Sequence, residues 1–137
     1  MASFVANFGM ISAGTYVVTA AYSGDNYNEA VSATQTIKIT KATTTTSLTG
    51  PTTVNAGSSG SYKVSVARPN LPGTATGKVT LLFGTTSVGS AELSGGVATL
   101  AVPSTVVKAG TYQVTAQYSG DENNTASSSL PAAVTVR

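Results

Sequence analysis

The 137-residue sequence contains no cysteine, no histidine and no tryptophan. Without cysteine there is no disulfide staple, no thiolate metal site and no thiol nucleophile. Without histidine the commonest general base and the commonest metal ligand are gone. Charge is scarce as well: Asp, Glu, Lys and Arg make up 9% of the chain, against roughly 25% in an average soluble domain. Long helices laced with Glu–Lys pairs are therefore a poor fit. The basic residues stand singly at Lys38, Lys41, Lys63, Arg68, Lys78, Lys108 and Arg137, and the net charge is only +2. No basic stripe is available to track a phosphate backbone, which argues against nucleic acid as a partner. No apolar run approaches the roughly 18 residues of a membrane-spanning helix. Residues 1–11 carry neither a basic start nor a sustained apolar stretch, so they do not read as a secretory signal.

What is present is 41% hydrophobic, enough for a packed core, set in Thr, Ser, Gly and Asn. That mixture suits strands with a neutral polar face joined by tight turns. An internal repeat organises it. Residues 13–30 (AGTYVVTAAYSGDNYNEA) and 109–126 (AGTYQVTAQYSGDENNTA) are identical at 13 of 18 positions at one offset of 96. The match continues backward more weakly, with residues 2–12 opposite 98–108. Solenoid repeats run about 20–45 residues, whereas a whole β-sandwich domain takes about 100. One period fills 42–137, and the remaining 41 residues correspond to the end of another. The expected organisation is a partial repeat at 1–41 holding only its last strands, a join near Lys41–Ala42, and a complete repeat at 42–137.

Strand signals fill the complete copy. In Thr111–Tyr118, Tyr112, Val114, Ala116 and Tyr118 alternate with Thr111, Gln113, Thr115 and Gln117, which predicts one buried and one wet face. Ser61–Val66 and Gly96–Val102 alternate similarly, and Lys78–Phe83 is more continuously apolar. Thr43–Leu48 and Ala132–Val136 supply outer strands. Turn residues at 69–73, 84–86, 94–96 and 119–121 separate the runs. About seven short strands at this spacing predict an all-β, immunoglobulin-like antiparallel sandwich. Ala109-Gly110-Thr111-Tyr112 has the layout of a tyrosine corner, whose hydroxyl bonds upstream backbone. Val114 then stands where antibody domains carry a cysteine, and the core pin is expected to be aliphatic.

Here the sequence resembles the group 3 bacterial Ig-like repeats found in tandem in large surface and secreted proteins. The resemblance rests on Gly73-Thr74-Ala75-Thr76-Gly77-Lys78-Val79-Thr80-Leu81, on Gly95-Gly96-Val97-Ala98-Thr99-Leu100, and on Ala109-Gly110-Thr111-Tyr112 with Tyr118-Ser119-Gly120-Asp121. It covers nearly all of 42–137 and most of 1–41. It implies a spacer or adhesion module, outside the cell or on its surface, as part of a longer chain. Its motifs specify a fold far better than an activity.

Chemistry is thinly represented. No serine sits in Gly-x-Ser-x-Gly, and none lies three residues before a lysine, so the balance leans against an enzyme. The acids are Asp25, Glu29, Glu92, Asp121 and Glu122. Asp25, Asp121 and Glu122 are candidates for a Ca²⁺ site, which would open the way to a Ca²⁺-dependent hydrolase. Ca²⁺ takes six to eight oxygens, commonly from several carboxylates, and one or two acids per loop fall short. The competing reading is an Asp side chain bonding the backbone of its own turn. Tyr16, Tyr22, Tyr112 and Tyr118 alternate with core residues, so they read as core rather than as a sugar platform. Tyr27 and Phe8 replace Asn123 and Ser104 of the other copy, which makes them candidates for a contact surface. The loops at 71–77 and 26–29 are candidate glycan- or protein-binding tips. The Asn123-Asn124-Thr125 sequon reads as coincidence in a bacterial chain.

Residues 1–41 are expected to form about three strands, including Thr15–Tyr22 and Thr36–Thr40. Their apolar face, with Phe4, Tyr16, Val18, Tyr22 and Ile37, lacks the first half of its repeat. Fully burying one large apolar side chain is worth roughly 1.5–3 kcal/mol. The expectation is that a second copy, giving a homodimer, or the strands of a partner cover this face.

Overall fold

A computed structural model describes residues 1–102 and 107–137. The chain divides into two units, Met1–Lys41 and Ala42–Arg137. Among the described residues the helical structure is one 3₁₀ turn at Phe8–Met10, and the remaining regular elements are strands.

The first unit is a hairpin. Strands β1 (Gly14–Tyr22) and β2 (Val31–Ile39) pair antiparallel, with Tyr16 opposite Ile37, Val18 opposite Gln35 and Tyr22 opposite Val31. Cross-strand partners share a face, so Tyr16, Val18, Ala20, Tyr22, Val31 and Ile37 form one apolar side. That side is poorly covered: Val18 is 47% exposed, Tyr22 44% and Val31 66%.

The second unit runs β3 (Thr45–Thr49), β4 (Thr53–Val54), β5 (Gly60–Ala67), β6 (Lys78–Phe83), β7 (Thr86–Glu92), β8 (Val97–Val102), β9 (Gly110–Tyr118), β10 (Ser127–Ser128) and β11 (Ala132–Val136). One sheet has the order β3-β5-β8, the other β4-β11-β9-β6-β7 with β10 also on β9. The opening strand is split between them: β3 pairs antiparallel with β5, and β4 runs parallel to β11. The crossing passes directly over the Tyr62 ring, so close that a Cβ on Gly50 would lie 2.2 Å from it. Tyr62 holds the crossing by donating its hydroxyl to the Pro51 carbonyl, 3.1 Å away.

Period-2 burial appears where alternation predicts it. Tyr62, Val64 and Val66 of β5, Ala98, Leu100 and Val102 of β8, and Val114, Ala116 and Tyr118 of β9 all join one core between the sheets. In β6 the run Lys78–Phe83 also alternates, burying Val79, Leu81 and Phe83. Leu82, on the outward face of the same alternation, is half-buried, and β7 carries a bulge opposite Leu81/Leu82. Val114 is fully buried as the central aliphatic residue. The pin is not purely aliphatic, however. Tyr62 meets Phe83 edge-on at 5.9 Å, and Phe83 meets Tyr112 at 5.8 Å, so an aromatic row fills the place of a disulfide and tryptophan.

The first unit differs from expectation in having two strands instead of three. Residues 2–6 correspond to Ala98–Val102 of β8, and β8 is held by pairing with β5. Nothing in 1–41 corresponds to β5, so that ladder has no partner and no strand forms. β2 also starts earlier than Thr36, at Val31, because its loop closes tightly enough to pair Val31 with Tyr22. The 96-residue register slips by one near the chain's end. Tyr22 faces Val31 as Tyr118 faces Ser127, but Tyr16 faces Ile37 whereas Tyr112 faces Val134. The additional residue lies at Leu130-Pro131, where proline offers no N–H to the ladder and Leu130 is 88% exposed. Ile37 and Ile39 are thus the counterparts of the buried Val134 and Val136.

Candidate functional site

The loop after β9 carries Asp121, and its geometry follows from the sequence Ser119-Gly120-Asp121. Gly120 turns the chain at φ +81°, and a Cβ there would lie 2.9 Å from both Asn124 O and Ala126 N. The turn is closed by Asp121 N–H donating to Asn124 O at 3.1 Å. The carboxylate then gathers donors. Oδ1 accepts from Asn123 N–H and the Asn124 amide, both at 2.8 Å. Oδ2 accepts from the Asn124 amide at 2.8 Å, Thr76 N–H at 3.0 Å and the Thr76 hydroxyl at 2.7 Å. Thr76 completes a bridge between strands, because the Tyr118 hydroxyl donates to its carbonyl at 2.6 Å.

The electrostatics follow. Partial burial alone would raise the Asp121 pKa, but the donors from Asn124, Thr76 and Asn123 outweigh it and hold the carboxyl well below the usual carboxylate range. Burial first, and the nearby Asp121 carboxylate second, push the Tyr118 hydroxyl up to about 12. Tyr118 is a fixed donor at any physiological pH.

The loop also holds the start of its own repeat. Ala42 N–H donates to Asn123 O at 2.8 Å, and Thr125 N–H donates to Ala42 O at 2.9 Å. The Thr44 hydroxyl donates to Thr125 O at 2.8 Å.

The loop after β1 is built the same way. Gly24 sits at φ +83°, and Asp25 N–H donates to Asn28 O at 2.9 Å. Asp25 Oδ1 accepts from Tyr27 N–H, Asn28 N–H and the Asn28 amide. One partner is lacking: the first unit has no counterpart of Thr76, and the Tyr22 hydroxyl donates to Asp25 Oδ2 at 2.7 Å. That bond, with the loop's own donors, lowers the Asp25 pKa to about 2.

Of the three acids with candidate roles, Asp121 and Glu122 are neighbours in one loop, and Asp25 belongs to the other unit. Glu122 is exposed. The two aspartates each act as the hub of a turn. Among the described residues no three His, Cys, Asp or Glu side chains gather as a metal-binding group. Tyr27 is 96% exposed and Phe8 44%, while Ser104, the counterpart of Phe8, lies outside the described residues. Sequence reasoning missed Thr76 and Asn124. Asn124 was visible in principle, since Asn28 matches it across the repeat; Thr76 lies in the half of the repeat that has no second copy.

Both tyrosine corners are formed. Tyr112 donates to Lys108 O at 3.0 Å, and Tyr16 donates to Ser12 O at 2.8 Å. Tyr112→Phe should lower the stability of the second unit by about 1 kcal/mol, read from the urea midpoint at unchanged slope.

Two facing, mainly antiparallel sheets with a split opening strand and a tyrosine corner define an immunoglobulin-like β-sandwich. The chain belongs to the bacterial Ig-like domain (group 3) family, whose profile matches residues 43–137. Among solved structures it is similar to the CARDB domain of a Pyrococcus furiosus protein. The crystal structure of that domain, in complex with di-metal ions, gives a TM-score of 0.49 at 23% identity over 68% of this chain and 91% of that one. Its solution structure gives 0.47 at 23% identity over 71% and 96%. No curated protein matches the sequence.

Proposed function

We propose that this chain is repeat material from a bacterial surface or secreted array, with 42–137 serving as a spacer module and 1–41 as the closing strands of another repeat. One observation carries the reading: two strand-and-loop segments in one chain, 13–30 and 109–126, share most of their sequence, and with it a tyrosine corner and an Asp-centred turn. A module repeated for its own sake needs a self-sufficient core and little else. The low charge, the filled core and the use of both aspartates as turn hubs support that role. A spacer also has to resist pulling. The second part of the opening strand, β4, runs parallel to the last strand, β11, so tension on the two ends shears that ladder along its length.

Single-molecule stretching of the chain inside a polyprotein tests this. A discrete unfolding peak for the 42–137 unit is expected, with a contour gain of roughly 300 Å for about 96 residues at about 3.3–3.6 Å each. Smooth extension without a peak would count against a load-bearing role. A second reading, recognition of a glycan or protein through the loops at 71–77 and 26–29, rests on Leu71 and Tyr27, 47% and 96% exposed there. Saturable micromolar binding lost in Tyr27→Ala or Leu71→Ala would favour it.

A further inference from the structure

The second unit is a template for what the first unit lacks. In the complete sandwich the inner face of β9 and β11 is covered by β3, β5 and β8, and Val114, Ala116, Tyr118, Val134 and Val136 are all buried. Their counterparts in the hairpin are Val18, Ala20, Tyr22, Ile37 and Ile39, and all five are exposed or half-buried. Ser127, which shares its hydroxyl with Thr44 and Thr46, is replaced by Val31, so the open face is more apolar than its covered twin.

The polar fittings are also in place. The loop at 23–30 has the backbone geometry of its twin and presents a concave surface. Tyr27 O, Glu29 N–H and Glu29 O stand where Asn123 O, Thr125 N–H and Thr125 O grip Ala42 and Thr44. In the complete unit Thr76 lies between the tyrosine hydroxyl and the aspartate, taking one bond from Tyr118 and giving two to Asp121. In the hairpin Tyr22 and Asp25 are bonded to each other. Their groups are those a bridging threonine would use.

We propose that the inner face of β1 and β2, with the loop at 23–30, is a docking surface for the N-terminal half of an Ig-like repeat. The occupant begins with an extended Ala-Thr-Thr strand seated on Tyr27 and Glu29. It carries an Ala-Thr-Gly segment, like Ala75-Thr76-Gly77, whose threonine accepts from Tyr22 and donates to Asp25. A second hairpin packed face to face, the homodimer expected from the sequence, would cover the apolar residues. It would bring nothing to these polar positions. The inference rests on the reading of 1–41 as closing strands of a repeat, and it names their partner.

The test places a second copy of residues 42–96 directly ahead of Met1, the counterpart of Val97, and follows amide hydrogen exchange. In this fusion the amides of Thr15–Tyr22 and of Glu29 should slow at least 100-fold, to the rates of Thr111–Tyr118 and Thr125. Val18→Asp in the fusion should undo that protection while 42–137 keeps its own. Fusion amides in β1 that exchange as fast as in the parent chain, with 42–137 still protected, would overturn the docking surface and leave the spacer reading of 42–137 standing. A polypeptide of residues 42–96 titrated onto the unfused chain gives an independent check. Saturable binding weakened at least tenfold by Asp25→Ala is expected, and absence of binding overturns the inference. So does a parent chain that is already dimeric at micromolar concentration with β1 protected, because the occupant is then a second hairpin.

Discussion

Replacing Asp121 with alanine should destabilise the second unit by about 3 kcal/mol, measured by urea unfolding. The carboxylate accepts from Thr76, Asn123 and Asn124. Alanine leaves those donors facing a gap, two of them on backbone whose path the bonds fix. Asn124 is 3% exposed, so water cannot readily replace its lost partner. The effect carries a pH signature. The folded-state pKa of Asp121 is depressed below its unfolded value of roughly 3.9. Its contribution is therefore complete above that value and is lost as pH falls through it toward the lower folded pKa. Wild-type stability should decline below about pH 4, and the decline should be shallower in Asp121→Ala. Equal acid limbs in the two proteins would show that the hub contributes no linkage.

A larger loss is expected from Tyr118→Ala, about 4 kcal/mol. The ring is 2% exposed and fills the core near the end of β9. Its hydroxyl ties β9 to Thr76. Tyr118→Phe separates the two contributions: the ring stays, one bond is lost, and the cost should be about 1 kcal/mol. The same changes at Tyr22 should leave the unfolding of 42–137 unaltered, since that residue belongs to the other unit. A destabilisation of 42–137 by Tyr22→Ala comparable with that of Tyr118→Ala would refute the separation.

The parts of this fold legible in the sequence are those governed by local pattern. Alternation in Thr111–Tyr118 set its buried face, and the Gly110-Thr111-Tyr112 turn set the corner, because both need only a few neighbouring residues. β7 was hidden because Val88 is its sole buried large apolar residue, too few for a period. The third strand expected in 1–41 failed for a non-local reason: a strand's existence depends on the ladder it joins, and the ladder's other side is β5-like sequence. The candidate site divides the same way. Asp25 and Asp121 were found as repeated acids, but the partner that gives Asp121 its bridging role, Thr76, is 45 residues away. Distance in sequence concealed it.

The account holds that two strand-and-loop segments of closely similar sequence, 13–30 and 109–126, differ in stability because of what covers them. Amide hydrogen exchange on the intact chain at low micromolar concentration compares them directly. Amides of Thr111–Tyr118 should exchange only through global unfolding of their unit, and those of Thr15–Tyr22 should exchange orders of magnitude faster, through local opening. Equal, strong protection of both strands with no partner added would contradict it.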